Sequence, residues 1–263
     1  KILVEETLTD TDVVAIAYRK KQLEVFRNLL NQDASESEWQ TFFEDNPWIF
    51  GYGLNYVFLT SLDGKKLSQA IKGHALGQHG KAPDAVMKTR ADISLFCLVE
   101  IKKSNTQLLA EDSYRSGVWQ PTKELTGGIA QAQRYQYDFG HLFAGEFRQI
   151  DSDDNPTGEL IYSFSPKTYL VVGNLDEFLT ENGVNVSRLG AFELLRRNLQ
   201  NPEILTFDEL YHRASFIVAN NEQHNTFDSR VLEDGDFPYE GIDEEDGDFS
   251  YEGDDEEDCD IPF

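Results

Sequence analysis

The sequence predicts an α/β fold: a mixed central sheet flanked by helices, with a disordered acidic tail at its C-terminal end. Three observations carry this expectation. Segments of helical period alternate with short apolar runs of strand length. One run, ISLFCLVEI within residues 92–102, is apolar almost throughout, as a strand covered on both faces must be. Finally, the charge is unevenly divided. Of the net −25, residues 226–263 contribute −16, from 17 acids and the single base Arg230.

A chain of 263 residues with 40% apolar content, 18 Phe and 11 Tyr is long enough to bury a core. No apolar run approaches the ~20 residues of a membrane span, so no membrane partner is expected. Cys97 and Cys259 are too few and too far apart for a disulfide scaffold. The expected setting is soluble and cytoplasmic. No secretory leader is evident, and a start at Lys1 leaves room for an upstream segment.

Residues 1–33 read as a helical lead-in, with Val13, Ile16, Ala17, Leu23, Phe26, Leu29 and Leu30 near helical spacing. An α/β domain is expected over 34–222. SESEWQTFFED opens with a helix N-terminal signal and closes at Asn46-Pro47, where proline stops a helix. Strands are expected at 56–61, 83–88, 92–102 and 167–174, the second pair separated from the first strand by a Gly-, Lys- and His-rich loop over 62–82. Helices are expected at 123–143, despite Gly127 and Gly128, and around 186–199 and 207–218. The tail is assigned to 223–263. Within it DGDFPYEGIDEE is followed directly by DGDFSYEGDDEE, two repeats too polar to bury an apolar face.

A nucleic-acid partner is at first disfavoured by the acidic balance. Yet residues 60–103 hold eight Lys or Arg against four acids, a basic stretch in an acidic protein. The chemistry lies there: Pro83-Asp84, then Glu100-Ile101-Lys102-Lys103. Alternation on a strand sends Glu100 and Lys102 to one face while Val99 and Ile101 take the other. If Asp84 converges on them, two carboxylates and an ammonium share a small site. Such hard oxygen ligands suit Mg²⁺, with Mn²⁺ a second possibility, and a bound phosphate. An ordinary surface ion pair is the competing account.

The pattern PD…ExK, here Asp84, Glu100 and Lys102, resembles the signature of PD-(D/E)xK nucleases. Gln131 and Tyr135, a Q-x-x-x-Y pair on one face of the expected helix, resemble the RecB-like and phage-exonuclease branch, or else border and fill an amphipathic helix. A longer resemblance, over residues 35–218, is to the Shedu anti-phage nucleases. It rests on ESEWQTFFEDNPWIFG, APD, VEIKKSNTQLL, YRSGVWQPTKELTGGIAQAQRYQYD and NPEILTFDELYHRA in that order. The resemblance implies a restriction-endonuclease-like core, Mg²⁺-dependent cutting or nicking of DNA, and a tetrameric homo-oligomer. By the same resemblance Asp84 and Glu100 are metal ligands, and Asp84, Glu100, Lys102 and Gln131 form the catalytic set.

Further candidates are weaker. Glu38 could supply another carboxylate from the helix before the sheet, or complete a capping box with Ser35. Lys81, Lys103, Tyr135 and Arg115 are candidate DNA contacts, with His74 and His79 in the loop beside them. Tyr114 and Trp119 could stack on DNA or pack their own loop. Asp258, Asp260, Ile261, Pro262 and Phe263 end the chain in a form that resembles the C-terminal tip of bacterial single-stranded DNA-binding proteins, which implies partners that bind that tip. The tail could instead lie across the basic groove and inhibit it. Two function classes stand: a metal-dependent DNA nuclease, and a non-catalytic, nucleic-acid-associated scaffold with a nuclease-like fold.

Overall fold

A computed structural model of the chain describes residues 10–51, 59–61, 83–89, 93–143, 145–150 and 155–230. Its centre is a mixed sheet built from β1 (Leu59–Ser61), β2 (Ala85–Thr89), β3 (Ser94–Ile101), β6 (Gly145–Ile150), β7 (Pro156–Val171) and β10 (Glu203–Leu205). The order is β1-β2-β3-β7-β10, with β6 pairing along the first half of β7. β1, β2 and β3 run antiparallel to one another, whereas β3 and β10 are both parallel to β7. The apolar run thus lies inside the sheet, as its composition requires.

Period-two alternation along β3 decides which helices cover which face. Cys97, Val99 and Ile101 join Tyr169, Val171 and Leu205 in one core, packed by α1 (Asp10–Asn31), α2 (Glu36–Asp45), α3 (Trp48–Gly51) and α6 (Phe207–Arg230). Phe26, Trp39, Phe43 and Phe207 form its aromatic centre, with Trp39 and Phe207 ring centroids 4.5 Å apart. Burying each such ring contributes about 1.5–3 kcal/mol. On the opposite face Phe96 and Leu98 pack with Tyr135 and Phe139 of α4 (Lys123–Phe143), while Leu170 and Val172 pack with Ile129 of α4 and Phe192 of α5 (Val186–Arg197).

Local signals account for the helix starts. Ser35 caps α2, its hydroxyl accepting from the Glu38 N–H while the Glu38 carboxylate accepts from the Ser35 N–H at 2.8 Å. Asn46 stops α2 and donates through Nδ2 to the Phe42 carbonyl. Thr122 accepts from the Leu125 N–H at the start of α4. The lead-in helix differs from its expected pattern: Phe26 is buried and Leu23, Leu29 and Leu30 pack beside it, but Val13 is 55% exposed. Val14 beside it is exposed as well, while Ile16 is half-buried.

Several elements escape the sequence reading. A hairpin of β4 (Leu109–Arg115) and β5 (Val118–Pro121) is exposed along most of its length and shows no apolar alternation. The expected strand at 167–174 is the end of a longer β7, whose first half carries no assignment from the sequence and pairs with β6. β10 is three residues long, and the small hairpin of β8 (Leu179–Thr180) and β9 (Gly183–Val184) has two residues a side. The last helix continues to Arg230, through the first eight residues assigned to the tail; its own backbone hydrogen bonds replace the predicted disorder there. Contacts divide the chain into units at residues 1–224 and 225–263. Within the second, only the end of α6 is among the described residues, and both acidic repeats lie outside them. No helix among the described residues is long and apolar enough to cross a membrane.

Candidate active site

The antiparallel register of β2 and β3 pairs Ala85 with Val99, which brings Asp84, one residue earlier, opposite Glu100. Asp84 is pinned twice. Its Oδ2 accepts from the Ile101 N–H at 2.8 Å, and its carbonyl accepts from Gln40 Nε2 of α2. On the other side of β3 the parallel register sets Leu170 beside Glu100, and Lys102 N–H continues the ladder to the Val171 carbonyl at 2.8 Å. Backbone pairing therefore fixes both carboxylates before any side-chain contact is made.

Glu100 is 1% exposed. The sequence reading sends it to the face opposite the Val99–Ile101 core; α4 covers that face too, so the carboxylate is enclosed. Lys102 Nζ donates to its Oε1 at 2.6 Å. Its Oε2 is buried without any hydrogen-bond partner. Burial first, and the Asp84 charge second, push the Glu100 carboxyl up to about 7 against the pull of Lys102. Lys102 moves the other way from a simply buried lysine. Burial works to lower it, but the hydrogen bond to Glu100 and the charges of Glu100, Glu36 and Asp84 outweigh burial and hold the ammonium above its ordinary value.

Helix α4 supplies the third wall. Gln131 Oε1 accepts from Lys102 Nζ at 3.2 Å, while Gln131 Nε2 donates to the Tyr135 hydroxyl at 2.8 Å. With its amino end held by Tyr135, the Gln131 carbonyl faces the ammonium. Tyr135 itself is 5% exposed and packs with Phe96, Leu98 and Phe139. Burial, reinforced by the charges of Glu100 and Asp84, pushes its hydroxyl up to about 12 despite the Gln131 contact. Of the two readings of Tyr135, the structure shows the packed one: the ring is enclosed and its hydroxyl accepts from Gln131. Asp84, Glu100, Lys102 and Gln131 are brought together.

The other candidates are dispersed. Glu38 is committed to the Ser35 capping box, and hydrogen bonds from the Ser35 hydroxyl and N–H keep its carboxyl below the ordinary value. The catalytic reading of Glu38 is corrected by that geometry. Glu36, two residues earlier and about 160° away around the helix, is the α2 carboxylate whose charge reaches Glu100 and Lys102. Lys103 points away from Lys102 toward Asp33, 3.9 Å distant. Arg115 lies over the exposed Tyr114 ring on the β4–β5 hairpin. Trp119 packs its loop: Arg188 lies over its ring at 4.6 Å and Ser187 accepts its N–H. Cys97 is buried in β3, and burial raises its thiol far from reactivity. Lys81, His74, His79 and the terminal Asp258, Asp260, Ile261, Pro262 and Phe263 lie outside the described residues.

Glu36, Gln40 and Gly128 are the residues at the site that the sequence reading passed over. Glu36 and Gln40 are four apart in α2, a spacing that puts both on one helix face. Gly128, in the second turn of α4, carried no signal that set it apart from Gly127. The donor set fits a divalent cation of the Mg²⁺ type: two carboxylates, one carrying a buried oxygen with no partner, at a spot where negative charge exceeds positive. Among the described residues no group of three His, Cys, Asp or Glu is assembled for a metal, so any cation here would also draw on water and substrate oxygens.

Comparison with known proteins follows the same residues. The family described as "Shedu protein SduA, C-terminal" matches residues 33–211, from just before α2 into α6. Shedu protein SduA of Bacillus cereus (strain B4264) is 27% identical over 221 residues, which is 83% of this chain and 55% of that protein. The chain thus spans about half the length of that curated relative. The family match takes in Glu36, Asp84, Glu100, Lys102 and Gln131 and covers well over half of the sequence, so this chain belongs to the Shedu SduA C-terminal family.

Proposed function

We propose that this chain is a divalent-metal-dependent nuclease that hydrolyses DNA phosphodiester bonds, as an endonuclease or nickase, in defence against phage. One observation carries the reading: a carboxylate enclosed beside a second carboxylate, with one oxygen on an ammonium and the other unpartnered. Desolvating that charge needs compensation, and a cation at Asp84 and Glu100 would supply it. The family match and the resemblance to PD-(D/E)xK nucleases, with a restriction-endonuclease-like core, support the same conclusion.

Asp84 and Glu100 would hold Mg²⁺ or Mn²⁺. The bound cation would supply Lewis-acid charge at the scissile phosphate and a more acidic water. The rest is the work of the chain. Glu100 would offer its unpartnered Oε2 to the cation while Oε1 anchors Lys102. Lys102, held above its ordinary value, is protonated at neutral pH; it acts as a fixed positive charge and hydrogen-bond donor toward phosphate oxygen, not as a base. Gln131 keeps the ammonium from folding onto Glu100 alone. Arg115 on the hairpin and Lys103 and Lys81 on the basic stretch extend the DNA contact, and assembly into a homo-tetramer would join several such surfaces on an otherwise acidic protein.

Supercoiled plasmid incubated with Mg²⁺, Mn²⁺ or EDTA tests the reading directly. Nicked or linear product is expected with either metal and not with EDTA. Inactivity of the wild type across supercoiled, linear and nicked DNA with both metals would move the chain to the scaffold class. The tip-like terminus adds a separate proposal, recruitment of proteins that bind the single-stranded DNA-binding protein tail. A peptide of residues 252–263 should bind such a protein and lose binding when Phe263 is removed. If deletion of 226–263 instead raises cleavage at low salt, the tail inhibits rather than recruits.

A further inference from the structure

Helix α4 contains two adjacent glycines, Gly127 and Gly128, in its second turn. Each costs about 1 kcal/mol relative to alanine, and the surroundings decide whether a methyl group could be admitted. The two differ sharply. A Cβ at Gly127 would meet nothing within 4 Å. A Cβ at Gly128 would lie 3.0 Å from Leu170 Cδ1, 3.3 Å from Leu170 Cδ2 and 3.6 Å from Lys102 Cε.

Those neighbours belong to the site. Leu170 is the cross-strand partner of Glu100, and Lys102 Cε is the carbon that carries the ammonium. Leu170 is fully buried, between Gly128 and the sheet, with little room to retreat. Gln131 lies three residues farther along the same helix, on the same face. We infer that Gly128 is a positioning residue: its bare Cα sets the gap between α4 and the sheet, and through that gap the contact of Lys102 with Gln131 and Glu100. The margin is narrow. The Gln131–Lys102 hydrogen bond is already 3.2 Å, and moving the helix out by a few tenths of an ångström to admit a methyl group takes it beyond bonding distance. The ammonium is then held by Glu100 alone.

The inference rests on the nuclease reading for its consequence but not for its geometry, and the experiment separates the two. Gly127→Ala, Gly128→Ala and the double variant Gly128→Ala/Leu170→Val are compared with wild type in three measurements: melting temperature, kcat and KM for Mg²⁺-dependent plasmid cleavage, and the rate at which an amine-acylating reagent modifies Lys102, read by peptide mass spectrometry. Gly127→Ala should melt higher and match wild type in the other two. Gly128→Ala should lose on the order of ten-fold in kcat with KM little changed, and its Lys102 should acylate several-fold faster. Leu170→Val, by making room for the methyl group, should restore both toward wild type. If wild type does not cleave, the nuclease reading falls while the acylation rates still decide the role of Gly128. Gly128→Ala acylating and cleaving like Gly127→Ala would overturn the inference, as would a loss in Gly128→Ala that Leu170→Val fails to reverse.

Discussion

Two half-buried ion-pair clusters sit on opposite sides of β7, built from the same ingredients and behaving in opposite ways. At the end of α5, Arg196 donates to both oxygens of Glu209 at 2.7 Å each and also pairs with Glu193. Glu209 further accepts from the N–H and hydroxyl of Thr206, and Glu193 from Arg197. Every oxygen of Glu209 is satisfied. Burial alone would raise Glu209, but Arg196 and Thr206 hold it below its ordinary value. At the end of β3, Glu100 has one ammonium, an unpartnered oxygen and a carboxylate neighbour, and it is raised to about 7. The difference is closure. Two acids against two arginines make a neutral, self-contained clamp. Asp84, Glu100 and Glu36 against Lys102 leave a formal excess of negative charge that a proton on Glu100 or an incoming cation would offset. A buried pair whose hydrogen bonds are complete supports a fold; one left incomplete beside like charges is a candidate binding position.

Removing one cation from each cluster gives the largest contrast. Lys102→Ala should reduce plasmid cleavage by about 10³-fold or more, equivalent to roughly 4 kcal/mol of transition-state stabilisation, while the protein stays folded. Arg196→Ala should do the reverse. Stranding Glu209 costs about 3–5 kcal/mol, seen as a lower urea midpoint, with cleavage per folded molecule unchanged. If Lys102→Ala unfolds the chain, or Arg196→Ala abolishes cleavage at full folding, the division into clamp and site is wrong.

What could be read without coordinates follows the same division. The Asp84–Glu100–Lys102 spacing was legible because strand alternation and a two-strand register need only local sequence. Helix α4 was legible end to end, since its period persists through both glycines. Enclosure was not. That Glu100 is buried depends on α4 folding back over β3, a contact between residues about thirty apart. The β4–β5 hairpin stayed hidden because its pairing is made by backbone hydrogen bonds under mostly exposed side chains, which leave no apolar alternation. The capping box was legible as one of two readings of Glu38. Glu36 stayed unread because its place beside the site is a matter of helix phase against a sheet folded from distant sequence.

A third contrast uses pH. A carboxyl raised to about 7 in the folded chain binds a proton there more tightly than in the unfolded chain. The stability it contributes is therefore complete below pH ~4.5 and is lost as pH rises to about 7, a change on the order of 3 kcal/mol. Glu209, lowered when folded, has the opposite sign: its contribution is present above its unfolded value and lost on acidification. Glu100→Gln should accordingly raise the metal-free melting temperature at pH 8, flatten its fall between pH 5 and 7, and abolish cleavage. Mg²⁺ should raise the wild-type melting temperature more at pH 8 than at pH 5.5 and leave Glu100→Gln unmoved. A melting temperature for Glu100→Gln below wild type at pH 8 would mean that the open carboxylate is stabilising after all.

The smallest effects separate the two first-turn glutamates of α2, which share a helix turn and a charge but not a task. Glu38 closes the capping box and contributes to the start of the helix. Glu38→Ala should lower the melting temperature slightly and leave the cleavage rate and its metal dependence unchanged. Glu36 makes no cap; it adds negative potential at Glu100 and Lys102 from an exposed position. Glu36→Gln should therefore leave stability at low pH alone, weaken the apparent affinity for Mg²⁺ in cleavage a few-fold, and do so less as salt is raised, because a charge acting through solvent is screened over about 8–10 Å. A salt-independent loss in Glu36→Gln would point to direct ligation of the cation. A loss of cleavage in Glu38→Ala comparable to that in Glu100→Gln would return the carboxylate role to Glu38 and require its capping box to open when metal and DNA arrive.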